Sequence, residues 1–276
     1  MPKKLEKCEV TGGRMAFWRS GSGEPVLLVH GITTYSFIWR RITPCFGRDY
    51  DVIAVDLLGC GDSDMPPDAD YSLSKHAERL HELVLALDLK KFHFVGHDLG
   101  GGIGQIFAVR WPEMLFDLTL INTVAHDFWP VQPITAMRTP IVRLLLMATM
   151  DRGLLKSVVR QGLFHKENQT PELMALFSRP FKEKAGRRAF LRFAGCLDNQ
   201  DLVVIENDLK KPGPPVMVVR GDADRYLSAT IAEKLARDIP GCRLERIATA
   251  GHYLQEDEPD LLSSLLLDFF QSHANV

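Results

Sequence analysis

The sequence predicts an α/β protein: a mostly parallel sheet flanked by helices on both faces, with a helical insertion late in the chain. Three observations carry this. Continuous apolar runs of strand length alternate with helix-compatible segments, the pattern of a parallel sheet buried on both sides. The run Phe92-His93-Phe94-Val95 passes through Gly96-His97-Asp98-Leu99-Gly100 directly into a helix-compatible stretch reaching about Arg110. From about Ala125 to Pro214 strand signals vanish while helical segments continue, with Pro133, Pro140, Pro171 and Pro180 as breaks.

In chain order, Cys8–Thr11 and Met15–Trp18 flank Gly12-Gly13 and read as an opening hairpin. Pro25-Val26-Leu27-Leu28-Val29-His30-Gly31 is a buried strand ending in a loop from Ile32 to Ser36, and helix-like sequence follows to about Phe46. Asp51–Asp56 is a second buried strand, closed by the turn Leu57–Asp64. Ser74 is placed to cap a long amphipathic helix reaching about Leu87, after which comes the strand that ends at Gly96. Leu118–Asn122 completes the first half. After the insertion, Pro215–Gly221 is a strand, Ser228–Ile239 a helix, Arg243–Ala248 a last strand and Pro259–Gln271 a last helix. Residues 1–124 and 215–276 thus form one core domain, and 125–214 a lid inserted after the sixth core strand.

Composition narrows the function classes. With 276 residues, 46% of them hydrophobic, the chain can bury a full core. A net charge of −2 gives no reason to expect nucleic acid as a partner. No apolar run approaches the roughly 20 residues that span a bilayer. The basic start at Lys3, Lys4 and Lys7 has no apolar segment behind it, so it does not read as a signal peptide. The five cysteines are scattered without metal-site spacing and read as reduced thiols in a cytoplasmic protein. Between Val131 and Pro212 there are 14 Arg and Lys against 8 Asp and Glu, which leaves the remainder of the chain near −8. That surplus reads either as solvated helix faces or as a cap that attracts anionic substrates.

Three points carry chemistry. Gly96-x-Asp98-x-Gly100 has the spacing of the strand–turn–helix elbow that presents a nucleophilic serine, with an aspartate in the serine's place. A carboxylate there also sits at a helix N-terminus, whose dipole favours its charged form. His252, just past a late strand, and Asp224, past the preceding one, lie at the strands' C-terminal edge, where open α/β sheets bind ligands. An acid at Asp224 would hold the imidazole in one tautomer and stabilise its charged form. Alternatives for these residues are a turn-capping aspartate and a loop histidine.

His30-Gly31, the Asp56-x-x-Gly59-x-Gly61-x-Ser63 turn, the Asp98 elbow, the Asp224 loop and the His252 loop together resemble the α/β-hydrolase superfamily across nearly the whole chain except the lid. Aspartate at the elbow, with His252-Tyr253-Leu254-Gln255-Glu256-Asp257, resembles its haloalkane dehalogenase and epoxide hydrolase branch. The resemblance implies a cofactor-independent hydrolase acting on a small apolar molecule, with Asp98 as nucleophile, His252 as general base and Asp224 as its acid. It assigns the oxyanion donors to the backbone N–H groups of Ile32 and Leu99. Asn122, where some relatives carry the acid, is an amide and cannot be the charged partner; Asp127 is a weaker alternative to Asp224. His30, Trp39, His97, Asn122, His126, Trp129 and Tyr253 are candidate pocket residues, and no metal site is expected.

The leaving-group donors depart from the family pattern. Leu99 follows the nucleophile where dehalogenases place a halide-binding tryptophan, and Ile32 stands where some place asparagine. No tyrosine occurs between Tyr71 and Tyr226, so the lid tyrosines of epoxide hydrolases have no counterpart. Gly100, Gly101 and Gly102 exclude the arginines of fluoroacetate dehalogenases. Trp39, Trp129, His126 and His165 are the candidate substitutes. Two further classes stand beside the leading one: an ester or lactone hydrolase using Asp98 as a base, and a non-catalytic ligand-binding protein of the same fold.

Overall fold

The computed structural model describes residues 4–126 and 153–273. Its strands are β1 (Lys4–Val10), β2 (Gly13–Ser20), β3 (Glu24–Val29), β4 (Tyr50–Val55), β5 (Phe92–His97), β6 (Leu115–Ile121), β7 (Val216–Gly221) and β8 (Arg243–Ile247). They form one sheet in the order β1-β2-β4-β3-β5-β6-β7-β8. The β1–β2 and β2–β4 pairs are antiparallel and every later pair is parallel.

Every position of β4, β5 and β7 is buried, which explains why these strands read as largely apolar runs without alternation. Alternate side chains feed two cores. Leu27, Val29, Ile53, Val55, Phe94, Leu118 and Leu120 face one layer, with α1 (Leu73–Ala86) and α2 (Leu99–Arg110) packed on it. Val26, Leu28, Val52, Ala54, Val95, Ile121, Met217 and Val219 face the other. Between β6 and β7 the described α-helices are α3 (Leu155–Gly162), α4 (Pro171–Lys182), α5 (Lys184–Cys196) and the short α6 (Gln200–Val203). The chain then adds α7 (Ala229–Asp238), the one-turn α8 (Leu254–Asp257) and α9 (Pro259–Gln271), whose Phe269 and Phe270 close the second core.

Four expectations change. The helix-like stretch to Phe46 is only two 3-10 turns, Ser36–Trp39 and Thr43–Phe46; Pro44 has no N–H to continue a helix across them. Ser72, not Ser74, caps α1, accepting from the Lys75 N–H, while the Ser74 hydroxyl accepts from Arg110. Strand β6 begins three residues earlier than Leu118. Pro180 lies inside α4 and the helix ends two residues after it, at Lys182; Pro171 takes the first position, where a missing N–H costs nothing. Pro133 and Pro140 lie outside the described residues.

The β5–α2 junction is packed to backbone contact. A Cβ on Gly100 would lie 2.3 Å from the Val29 carbonyl oxygen and 2.8 Å from that of His30. Gly100→Ala is therefore expected to destabilise the fold by at least about 1–3 kcal/mol in urea denaturation, the range for forced overpacking. Gly195→Ala, where the added methyl meets nothing within 4 Å, should instead be neutral or stabilising by about 0.5–1 kcal/mol.

Candidate active site

Asp98 ends β5 and opens α2 with φ 53° and ψ −117°, a conformation that L-residues rarely adopt. Its N–H donates to the Ile121 carbonyl (3.1 Å) and its carbonyl accepts from Gly101 (3.1 Å), so both ends of the turn are tied down. The side chain is held above the sheet edge. Its Oδ2 accepts from the Ile32 N–H at 3.0 Å, and the Leu99 N–H also bonds the carboxylate. Gly31 allows this approach: a Cβ there would sit 2.5 Å from Asp98 Oδ2. Burial pushes the carboxyl's pKa up, against the opposing pull of His252 and the two N–H donors. The helix-terminus argument for an ionised carboxylate is thus outweighed by desolvation.

His252 follows β8, and Asp224 follows β7. The Nδ1 of His252 donates to Asp224 Oδ2 at 3.0 Å, and both side chains are buried. Asp224 Oδ1 accepts from the N–H groups of Tyr226 (2.8 Å) and Leu227 (3.3 Å). Arg220, four residues earlier, donates to the Asp224 carbonyl at 3.3 Å and lies 3.7 Å from Oδ2. Burial opposes charge on both partners. In Asp224 it is outweighed by His252, the N–H donors and Arg220, and the pKa is lowered. In His252 burial is outweighed by Asp224 and then Asp98, and the pKa is raised.

Three candidate pocket residues are already committed to backbone groups. His97 donates through Nε2 to the His252 carbonyl at 2.9 Å. Asn122 donates to the carbonyls of Gly251 (2.8 Å) and His252 (3.1 Å) and accepts from the Gly221 N–H (3.0 Å). It therefore braces the β6, β7 and β8 exits, with both of its amide N–H donors committed to backbone carbonyls. His30 donates through Nδ1 to the Gly31 carbonyl (2.8 Å) and accepts from Leu57 N–H at Nε2 (3.0 Å), which fixes one tautomer. Burial lowers His30 to about 4 and His97 to about 3, so both are neutral spacers.

The other candidates divide. Tyr253 lies against His252, with its hydroxyl 3.5 Å from Thr33 Oγ1. Trp39 is fully buried in the second core. His126 sits against Lys234 (3.3 Å) and Glu206 (3.6 Å), and His165 against Glu258 (3.3 Å), so both are engaged in ionic clusters. Trp129 and Asp127 lie outside the described residues. Of the aromatics described between β6 and β7, Phe181, Phe190 and Phe193 line a cavity with Ile32, Thr33, Thr34 and the Gly59–Gly61 turn, whereas Phe164 is exposed. Sequence reasoning missed Thr33, Arg220 and Tyr226, whose ring meets that of His252 edge-on at 5.2 Å. A charged Arg220 inside the apolar run of β7 was the available signal; Thr33 carried none. Among the described residues no group of three or more His, Cys, Asp or Glu could hold a metal ion, and no helix is long and apolar enough to cross a membrane.

The family model for the α/β-hydrolase fold matches residues 24–259, and the chain belongs to that family. It is 28% identical over 273 residues to a cis-3-alkyl-4-alkyloxetan-2-one decarboxylase of Shewanella oneidensis, covering 94% of this chain and 86% of the relative. It is 25% identical over 269 residues to haloalkane dehalogenase 2 of Mycobacterium tuberculosis, covering 94% and 92%. Among solved structures it is similar to an α/β-hydrolase fold protein from Burkholderia ambifaria, with TM-score 0.88, 28% identity and 95% and 97% coverage. A haloalkane dehalogenase from Bradyrhizobium elkani shares the fold at TM-score 0.86, 24% identity and 98% coverage of both chains.

Histidine titration by NMR checks these charges. His252 should titrate above its ordinary 6.5 and move to lower pH in Asp224→Asn. His30 and His97 should show no titration between about pH 5 and 8. The raised His252 contributes fully to stability below 6.5 and loses that contribution as pH rises through its folded value. The lowered Asp224 contributes fully above 3.8 and loses it as pH falls through its folded value.

Proposed function

We propose that the chain is a hydrolase that forms a covalent alkyl ester on Asp98, acting on a small apolar haloalkane or epoxide. The observation that carries the reading is the Asp98 carboxylate itself, raised on a left-handed turn, facing the Ile32 N–H and electrostatically paired with His252. Attack by a carboxylate on an acyl carbon gives a reactive mixed anhydride; attack on an sp³ carbon gives a stable ester. His252, oriented by Asp224, then takes a proton from water, and the hydroxide attacks the Asp98 carbonyl carbon. Negative charge develops on the oxygen facing Ile32 and Leu99, where loss of one donor typically costs about 2.7–4 kcal/mol of barrier. Residues 125–214 act as the lid, and Phe181, Phe190 and Phe193 form its apolar wall.

A second reading is chemistry on a lactone, supported by the relative named as an oxetan-2-one decarboxylase. There Asp98 either serves as a base or attacks the ring's sp³ carbon.

The test is intact mass of His252→Gln after exposure to mixed haloalkanes, epoxides and activated esters. An alkyl adduct should accumulate on the peptide holding Asp98 and be absent in Asp98→Asn/His252→Gln. A folded variant that gains no mass from any class would overturn covalent catalysis. If the protein only binds, Asp98→Asn alone should keep ligand affinity within about tenfold, roughly 1.4 kcal/mol.

A further inference from the structure

A full charge lies inside β7, beside the candidate base and its acid. Arg220 follows Val216-Met217-Val218-Val219, and only 4% of it is exposed. Its Nη2 donates to the Asp224 carbonyl at 3.3 Å, and its Nη1 lies 3.7 Å from Asp224 Oδ2. That same Oδ2 accepts from His252 Nδ1 at 3.0 Å. One guanidinium therefore meets both the backbone and the carboxylate of the acid.

We propose that Arg220 is a positioning residue for hydrolysis of the Asp98 ester. Its guanidinium clamps the Asp224 turn and sets a buried positive charge beside the Asp224–His252 pair. The imidazole is thereby left free as a base once Asp98 is esterified. This role rests on the covalent Asp98 reading and adds to it the residue that readies the base.

Stability alone does not call for a charge at this place. The sheet register pairs Arg220 with Arg246 of β8, which sets like charges on neighbouring strands. Arg246 is half-exposed and has its own carboxylates, Asp222 at 2.8 Å and Glu233 at 3.4 Å. Arg220 has only the longer approach to Asp224, and its Nε has no hydrogen-bond partner among the described residues. A buried guanidinium so incompletely paired costs stability relative to an apolar side chain. It also stays charged where a buried lysine would readily shed its proton. The group that gains is the acid. Its turn is already tied by N–H bonds from Asp222 to the Ile247 carbonyl and from Ala223 to the Ala250 carbonyl, each 3.0 Å. Arg220 adds the hold on the Asp224 carbonyl itself.

The charges nearby explain when the base is released. Arg220 is acted on by Asp224 and Asp222 of its own loop, Arg246 of β8 and Glu233 of α7. His252 is acted on by Asp224, Asp98 and Arg220. The two carboxylates favour the imidazolium, and Arg220 joins burial in opposing it. In the free protein the carboxylates prevail. Esterification removes the Asp98 charge, so burial and Arg220 then stand against Asp224 alone. That is the moment at which His252 must accept a proton.

The step balances. His252 takes one proton from water, whose oxygen bonds to the Asp98 carbonyl carbon. The bond from that carbon to the alkyl oxygen breaks, and the alkoxide leaves with the His252 proton as an alcohol. The second water proton departs as Asp98 returns to carboxylate. Arg220 exchanges nothing.

The test begins without substrate. The NMR titration of His252 should move to higher pH in Arg220→Gln, or in Arg220→Met if the first does not fold. It should move to lower pH in Asp98→Asn, whose amide, like the ester, carries no charge. Arg246→Gln should leave it in place. A single-turnover pulse of styrene oxide or n-butyl bromide, whichever alkylates Asp98 in His252→Gln, then supplies a pH profile of adduct decay by quenched intact mass. In Arg220→Gln decay should slow about fivefold on the acid side, as for one charge removed from a partly screened group, and recover at high pH. Arg220→Lys should restore part of the loss. Alkylation itself should run equally fast in His252→Gln with and without Arg220→Gln. Thermal melts establish that each variant is folded. Decay slowed equally at every pH, a His252 midpoint unmoved or lowered in a folded Arg220 variant, or one that does not fall in Asp98→Asn would overturn the role while leaving Asp98 the nucleophile. No adduct from either probe in folded His252→Gln would remove the ester itself, and the role with it.

Discussion

The backbone turn at Asp98 is the constraint on which the rest of the site depends. A buried carboxylate at φ 53° is unfavourable twice, in conformation and in solvation. It persists because its surroundings over-determine it. Gly31 lets the Ile32 N–H reach the carboxylate, Gly100 lets α2 lie against the end of β3, and the Asp98 N–H and carbonyl are both bonded. The Ile32, Gly100 and Ile121 contacts tie the β5–α2 junction to the ends of β3 and β6, so the geometry belongs to the sheet as much as to the turn.

The histidines around that turn illustrate how burial sorts identical side chains. His30 and His97 have carbonyl acceptors but no carboxylate, and desolvation keeps them neutral. His252 has Asp224 at 3.0 Å and is pushed the other way. The neutral pair and Asn122 are not idle. His97 and Asn122 both donate to the His252 carbonyl, fixing the loop from which the His252 imidazole projects. A rigid frame of neutral groups thus carries the few groups whose charge responds to pH.

Such a frame is compatible with more than one chemistry, and the relatives bear names as different as dehalogenase and decarboxylase. What distinguishes members is the small set of side chains that meets the leaving group. In this chain Leu99 and Ile32 offer only backbone N–H groups, already turned to Asp98. The polar side chains lining the cavity come from the loops, not from the helices between β6 and β7, where Phe181, Phe190 and Phe193 form an apolar wall.

The sequence by itself determined the fold, because long apolar runs and their helical partners are local patterns. The strands β3, β4, β5 and β7 and the helices α2 and α9 lie where the apolar runs and the helix-compatible segments between them put them. It also named Asp98, His252 and Asp224 as a set, since strand-to-loop exits on a parallel sheet share one edge. Only the tertiary structure decided the roles of their neighbours. Asn122 became a brace rather than a pocket wall because three backbone groups from two other strand exits converge on its amide. Thr33 and Tyr253, 220 residues apart, met because two loops close over the same strand ends. Hydrogen-bond partners and burial are set by packing between distant segments, and no local spacing encodes them.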